Sequence, residues 1–434
     1  MDGELVIGRE LTSQDGNKYK VCKLLGSGGQ GEVYDVTNNG NHLALKWYYA
    51  RTATPEQKRL LQELVGKVKP DDNFLWPEDF VADEQGKSYG YIMKLRPSNY
   101  VSIVDLMKRT AEPSFYILCK VAYNLTLSYN NLHNCGYCYK DISFGNLFFD
   151  PNTGDVLICD NDNVSPNGSG GSSVYGTPRF MAPEIVAKRV KPSRNTDLYS
   201  LSVLLFYIFM LNHPLEGKLE ASIKCMDLYA MEKLYGTNPV FIFDPDDKSN
   251  RPLRGYQDNA NEFWAVYPTQ LKRLFTHAFT VGLKEPSKRI TEKQWLNAFA
   301  NLMCGIMTCS KCGCENFYDA EREKLGAAHI CWNCNTRLKN PVKIIIDKNI
   351  VLLSTSNSKL YSHHINRDYD MSTIVGSVNQ NPKNPNIWGI RNDSNENWTY
   401  CSPGGEQTIV APGRSARIAI GAKIRFKNFE GIIE

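Results

Sequence analysis

The sequence has no excess of charge of one sign. Its 50 Lys and Arg stand against 46 Asp and Glu, a net of +4 over 434 residues, so it has no basic field to draw nucleic acid or an anionic membrane. Long hydrophobic runs are also missing. The longest, Leu201 to Leu211 (LSVLLFYIFML), falls well short of the ~20 residues that cross a bilayer and predicts a buried helix instead. The opening MDGELVIGRE lacks the basic start and apolar core of a secretory signal, which makes a reducing cytoplasmic compartment the expectation. There is no low-complexity tract and no repeat at solenoid period. With hydrophobic residues at 42% and charged residues at 22%, general disorder, collagen-like repetition and coiled coil are poor fits. The length predicts two or three domains at ~150 residues each.

Cysteine is the residue used unevenly. Of thirteen, Cys304, Cys309, Cys312, Cys314, Cys331 and Cys334 crowd one short stretch. Cys22, Cys119, Cys159 and Cys225 lie singly among apolar residues, a pattern expected of reduced core thiols.

From Tyr19 the chain reads as short strands, YKVCKLLG, GEVYDVT and HLALKWYY, with turn residues at Asn38 to Asn41, which predicts an antiparallel meander. Pro55 to Lys69 follows with Leu60, Leu61, Leu64, Val65 and Val68 at helical spacing, opened by Thr54 as cap. SYGYIMKL is a further strand, and helical patterns dominate from about Val101 to Met307. Beyond the cysteine cluster, KIIIDKNIVLLS, STIVGSV, NIWGIRN and ARIAIGAKIRF are β-type runs separated by turn residues. The expected class is α+β: a small β-rich lobe, a larger helical lobe, the cysteine segment and a small β-sandwich.

Between two strand candidates lies GSGGQGEV, Gly26 to Val33. Its strand–loop–strand setting argues against a dinucleotide fingerprint, which wants a strand and then a helix. It suits either a glycine-rich hairpin turn or a flap whose backbone N–H groups approach phosphate oxygens. Lys46, flanked by Leu43, Leu45 and Trp47, needs an anionic partner if it points inward. Nucleotide phosphates could supply one charge and Glu63 another, unless Glu63 is a surface residue of an amphipathic helix.

Five further motifs follow in order. GYCYKDISFGNLFF holds Asp141 and Asn146, DVLICDND places Asp160 after an apolar strand, and GTPRFMAPE, DLYSL and EPSKR come later. Together with the glycine loop and Lys46, this set resembles the eukaryotic-type protein kinase family over about residues 19 to 300. The resemblance implies a bilobal kinase fold, ATP and magnesium as cofactors, and transfer of the γ-phosphoryl group to a protein hydroxyl. It places Gly26, Ser27, Gly28, Gly31, Val33 and Ala44 around the nucleotide, Met93 in the adenine pocket and Lys94 to Arg96 as the hinge. Lys46 would bind the α- and β-phosphates while paired to Glu63. Asp141 would take the substrate proton, and Asn146 and Asp160 would hold magnesium. Glu184 with Arg289 would form a buried ion pair, Asp197 would brace the catalytic loop, and Thr177 is similar to the threonine of Ser/Thr kinases.

The pattern departs from the family in three places. Tyr139-Lys140-Asp141 replaces His-Arg-Asp, Ser143 stands where a lysine is usual, and Asn161-Asp162 replaces Phe-Gly after Asp160. Asp162 is expected to be a solvated neighbour of the metal site rather than a further ligand. The five core polar positions survive, so an active kinase is expected, with a nucleotide-binding pseudokinase scaffold as the alternative. The polar segment 163–175 resembles an activation loop, with Ser165, Ser169, Ser172, Ser173, Tyr175 and Thr177 as candidate phosphosites.

Cys309-x2-Cys312, eighteen residues, then Cys331-x2-Cys334 has the spacing of a four-thiolate zinc site whose metal would supply folding energy. The alternative is four reduced surface cysteines. Cys314 is a spare thiol and His329 a less favoured ligand. The segment mixes both signs of charge, which favours a structural or docking role over nucleic-acid binding. The tail resembles the second half of forkhead-associated domains, although no Gly-Arg opening or Asn-Gly-Thr loop is present and Ser362-His363-His364 is only similar to their serine–histidine pair. This gives a kinase domain over 1–306, a zinc ribbon over 307–340 and a β-sandwich over 341–434. The architecture resembles bacterial kinases grouped with a phosphatase and a von Willebrand-type protein, which would be partners alongside a protein substrate.

Overall fold

The computed structural model describes residues 4–168, 176–353 and 358–434. It divides into two compact units. The first comprises Met1–Pro113, Asn124–Asn261 and Phe275–Glu292, and the second Ser114–Tyr123, Glu262–Leu274 and Lys293–Glu434.

The first unit opens with the expected meander. Strands β1 (Glu10–Thr12), β2 (Lys18–Ser27), β3 (Gly31–Asn38), β4 (Asn41–Tyr48), β5 (Asp79–Ala82) and β6 (Tyr89–Lys94) form one antiparallel sheet in the order β1-β2-β3-β4-β6-β5. The turn between β3 and β4 uses Asn39 and Gly40 at φ 49° and 83°, the paired left-handed residues that a two-residue hairpin matched to strand twist requires. Strand alternation then sorts β4: Leu45 and Trp47 join Tyr34, Val36 and Ile92 in one apolar cluster, while Ala44 and Tyr48 join Tyr91, Met93 and Leu61 in another.

Helix α1 (Pro55–Val65) begins where Thr54 accepts a hydrogen bond from the Gln57 backbone, as a cap should. It ends before Gly66, so Val68, expected on its apolar face, lies outside the helix and is exposed. Leu61 and Leu64 are its buried residues.

The apolar run 201–211 is realised as the last ten residues of the helix Arg194–Met210, in which every residue from Thr196 onward is buried, with Leu211 capping it at φ 50°. Among the described residues no helix is long and apolar enough to cross a membrane. Short strands Leu147–Phe149 and Val156–Ile158 pair with each other and hold the loop of Asp141 on one side and Asp160 on the other.

In the second unit a hairpin pairs Ile306–Thr308 with Glu315–Phe317 and sets Cys309 and Cys312 on its connecting loop. Phe115 packs against Tyr267, Phe317 and Trp332, so pieces of the helical region cluster with the cysteine segment rather than dividing from it at a chain position. The tail forms a six-stranded and a four-stranded antiparallel sheet. Both contribute to one apolar cluster that includes Ile344, Ile346, Leu360, Val378, Ile390, Trp398, Ile424 and Ile433.

Candidate active site

The register of β4 fixes the lysine. Lys46 lies opposite Val33 on β3 and Tyr91 on β6, on the same face as Ala44 and Tyr48. Its side chain is 7% exposed, and Nζ lies 3.0 and 3.2 Å from the two carboxylate oxygens of Asp162 and 3.3 Å from Oδ1 of Asp160. An ammonium this buried must be neutralised locally, and these two carboxylates do it. Burial alone would lower the lysine pKa, but the charges of Asp162 and Asp160 hold it above its ordinary value.

Two expectations are corrected here. Glu63 is not the partner of Lys46 in this structure. Its side chain is 57% exposed and lies 3.7 Å from Arg59, because Leu61 and Leu64 take the inward face of α1 and successive residues are offset by about 100°. Asp162 is no solvated neighbour either, since its side chain is 1% exposed. It accepts hydrogen bonds from the Tyr48 hydroxyl, from the Tyr91 hydroxyl at 3.3 Å and from Gln57 Nε2 at 3.5 Å, besides Lys46. Burial would raise its pKa, yet the Lys46 charge and the bonds from Tyr48 and Lys46 outweigh that and hold the carboxyl below its ordinary range. Nothing in the sequence motif pointed to Tyr48 and Tyr91; only their strand positions, two residues from Lys46 and directly across from it, could have.

Asp160 sits at φ 54°, ψ 46°, a left-handed conformation that costs a non-glycine residue ~1–2 kcal/mol. Its side chain is 40% exposed. Asn161 behind it is buried and donates to the Ile158 carbonyl at 3.1 Å, filling with a polar anchor the position where the family places an aromatic ring.

Asp141 accepts two hydrogen bonds on Oδ1, from the backbone N–H and the hydroxyl of Thr177, both at 2.9 Å. Asn146 donates to the Asp141 carbonyl at 3.0 Å, which fixes the amide and leaves its oxygen as acceptor. The loop is braced from below: Asp197 accepts from the Tyr139 backbone at 2.7 Å and from His133 Nε2 at 3.0 Å. His133 Nδ1 lies 2.5 Å from Glu292, which also takes Arg194 at 2.8 and 3.1 Å. With a carboxylate on each ring nitrogen His133 is the cation, its pKa raised by these bonds against the lowering effect of burial. Sequence reasoning missed His133, Arg194 and Glu292, which belong to no family motif used above. Lys140, at φ 61°, has its pKa lowered by burial. Ser143 is buried. Glu184 and Arg289 form the expected pair with two contacts of 2.7 Å.

The glycine loop is a tight hairpin, with the Gly28 N–H donating to the Gly31 carbonyl at 2.8 Å. A Cβ on Gly31 would lie 2.0 Å from the Trp47 carbonyl oxygen, whereas one on Gly26 would meet nothing within 4 Å. The sheet therefore requires the glycine at 31 and leaves open space above 26. Met93 is buried directly across from Ala44. Of the candidate phosphosites, Ser165 is buried beside Cys138 and Thr177 is held by Asp141, while Ser169, Ser172, Ser173 and Tyr175 lie outside the described residues.

In the second unit the sulfurs of Cys309, Cys312, Cys331 and Cys334 lie within 4.8 Å of one another, with Cys309 to Cys334 and Cys312 to Cys331 at 3.6 Å. Zn–S bonds of about 2.3 Å in a tetrahedron give edges of about 3.8 Å, so this donor set fits zinc. Cys314 instead accepts from Asn333 at 3.2 Å, and His329 Nε2 accepts from the Asp319 backbone at 2.9 Å. Of the four isolated cysteines only Cys119 is fully buried; Cys225 is exposed, against expectation.

Comparison with known proteins agrees with this geometry. The protein kinase domain family matches residues 19–299. Relatives include "Probable serine/threonine-protein kinase CCRP1" of Zea mays, 26% identical over 48% of this chain and 34% of its own length. Two others are "Probable serine/threonine-protein kinase PLK" of Dictyostelium discoideum (23%, over 49% and 22%) and "Ribosomal protein S6 kinase 2 alpha" of Gallus gallus (24%, over 47% and 28%). The chain thus spans about a third or less of these relatives. They are eukaryotic and lend no support to a bacterial origin or to phosphatase and von Willebrand-type partners. On the match across residues 19–299, the chain belongs to the protein kinase family.

Proposed function

We propose that the chain is an ATP- and magnesium-dependent serine/threonine protein kinase. The observation that carries this reading is the constellation in one unit of Lys46 with Asp160 on one side and Asp141 with Asn146 on the other, with Thr177 bonded to Asp141 through both backbone and hydroxyl. Lys46 would neutralise the α- and β-phosphates, and the open space at Gly26 would admit them. Asp141 would accept the proton of the incoming hydroxyl as the new P–O bond forms and the bond to the β-phosphate oxygen of ADP breaks. Thr177 orients that carboxylate.

Asn146 and Asp160 offer the hard oxygen donors that suit magnesium and would hold it. Bound there, the ion would neutralise charge on the transferred group. The test is magnesium-dependent transfer of label from ATP, recovered as phosphoserine or phosphothreonine on the chain itself or on an acceptor protein. Nucleotide binding without any transfer would point to the scaffold alternative and contradict the proposal.

For the second unit we propose a zinc ribbon on Cys309, Cys312, Cys331 and Cys334, followed by a forkhead-associated-like β-sandwich from about 341 to 434. The mixed charge of the ribbon and the two sheets that share one core support a structural and partner-docking role.

A further inference from the structure

We infer that Asp162 is the residue that positions Lys46 for the nucleotide, a task performed without Glu63; this rests on the kinase reading above. Three observations carry it. The Asp162 side chain is almost wholly buried and both of its oxygens face the lysine, at 3.0 and 3.2 Å. Tyr48, Tyr91 and Gln57 donate to the same carboxylate. Glu63 points to solvent beside Arg59.

The arrangement follows from the local sequence. Tyr48 and Lys46 project from the same face of β4, and Tyr91 is the cross-strand neighbour of Lys46 on β6. The short helical turn Asn161–Asn163, anchored by buried Asn161, carries the Asp162 carboxylate into that corner. A glycine at 162, the residue the family pattern would place there, would leave the lysine with Asp160 alone. Asp160, 40% exposed, would then have to serve both the lysine and a metal ion. With Asp162 present the lysine is held through Tyr48 and Tyr91 on the strands, the pinned turn and Gln57 at the start of α1, so its alignment does not require Glu63. Asp162 is a positioning residue, acting through Lys46.

The test uses the full chain and reads Mg-ATP affinity, by displacement of a fluorescent ATP analogue, alongside phosphoryl transfer. Glu63→Gln, which the structure places outside the site, is expected to leave affinity within about twofold. Asp162→Asn is expected to weaken it by about tenfold or more, as loss of one partner in a buried charge pair does. In a Lys46→Met background Asp162→Asn should change affinity no further, because coupled residues are not additive; a merely structural role would lower it again. If Asp162→Asn fails to fold, Tyr91→Phe, which keeps the charge and removes one donor, should still weaken binding more than Glu63→Gln does. A larger loss with Glu63→Gln than with the Asp162 or Tyr91 variants overturns the inference and leaves the kinase reading intact, as does tighter binding by Asp162→Asn. Wild-type binding without transfer overturns the kinase reading, and the ranking of variants still decides the inference. No nucleotide binding by the wild type overturns both.

Discussion

At the scale of single residues, the motif residues and the Glu184–Arg289 pair were legible, and the carboxylate that holds Lys46 was not. Lys46, Asp141, Asn146 and Asp160 could be picked out because chemistry restricts the residue type at each position. The partner of Lys46 could not, because which side of α1 faces the sheet depends on Leu61 and Leu64 winning the inward position, a packing outcome that a list of motifs does not encode. Asp162 looked solvated because Asn161 and Asp162 are both polar, and the strands that close over them come from more than 65 residues away in the chain. The glycines divide in the same way. Gly31→Ala forces a methyl group against the Trp47 carbonyl and is expected to cost ~1–3 kcal/mol, as overpacking does. Gly26→Ala meets open space and should leave the melting temperature unchanged, so thermal unfolding of the two variants separates a glycine the fold needs from one it does not.

At the scale of elements, the network of His133, Asp197, Arg194 and Glu292 ties the helix Phe115–Asn134 and the helix Arg194–Met210 to the loop that carries Asp141. Burial would raise the Glu292 pKa, but the bonds from His133 and Arg194 bring it down from 4.5 to about 2. A depressed acid stabilises the fold at pH above its unfolded value, and that contribution is lost as pH falls from 4.5 toward 2. Glu292→Gln should therefore show a shallower loss of stability over that range in acid-unfolding curves than the wild type. His133 has the opposite sign: its raised pKa contributes stability below 6.5 that fades as pH rises through its folded value. The zinc proposed for the second unit would join the hairpin Ile306–Thr308 with Glu315–Phe317, whose loop carries Cys309 and Cys312, to Cys331 and Cys334. The four sulfurs converge beside an apolar cluster of Met307, Tyr318, Leu338 and Leu352, and chelation of zinc or Cys331→Ser is expected to abolish stoichiometric zinc in elemental analysis and to raise amide exchange across residues 306–338.

At the scale of the whole molecule, the order of strands, helices, cysteine segment and tail was readable from periodicity and turn residues. Alternation along KIIIDKNIVLLS and ARIAIGAKIRF announced sheets whose inner faces share one core. The grouping into compact units was not readable, because Phe115 and Tyr267 join Phe317 and Trp332 across large separations in sequence. The claim on which the rest depends is that Asp141 serves phosphoryl transfer. Its most direct test is incubation of the full chain with labelled ATP and magnesium, comparing wild type with Asp141→Ala at matched melting temperature. The account predicts label on the wild type and none on the variant; label persisting on a folded Asp141→Ala chain would contradict it.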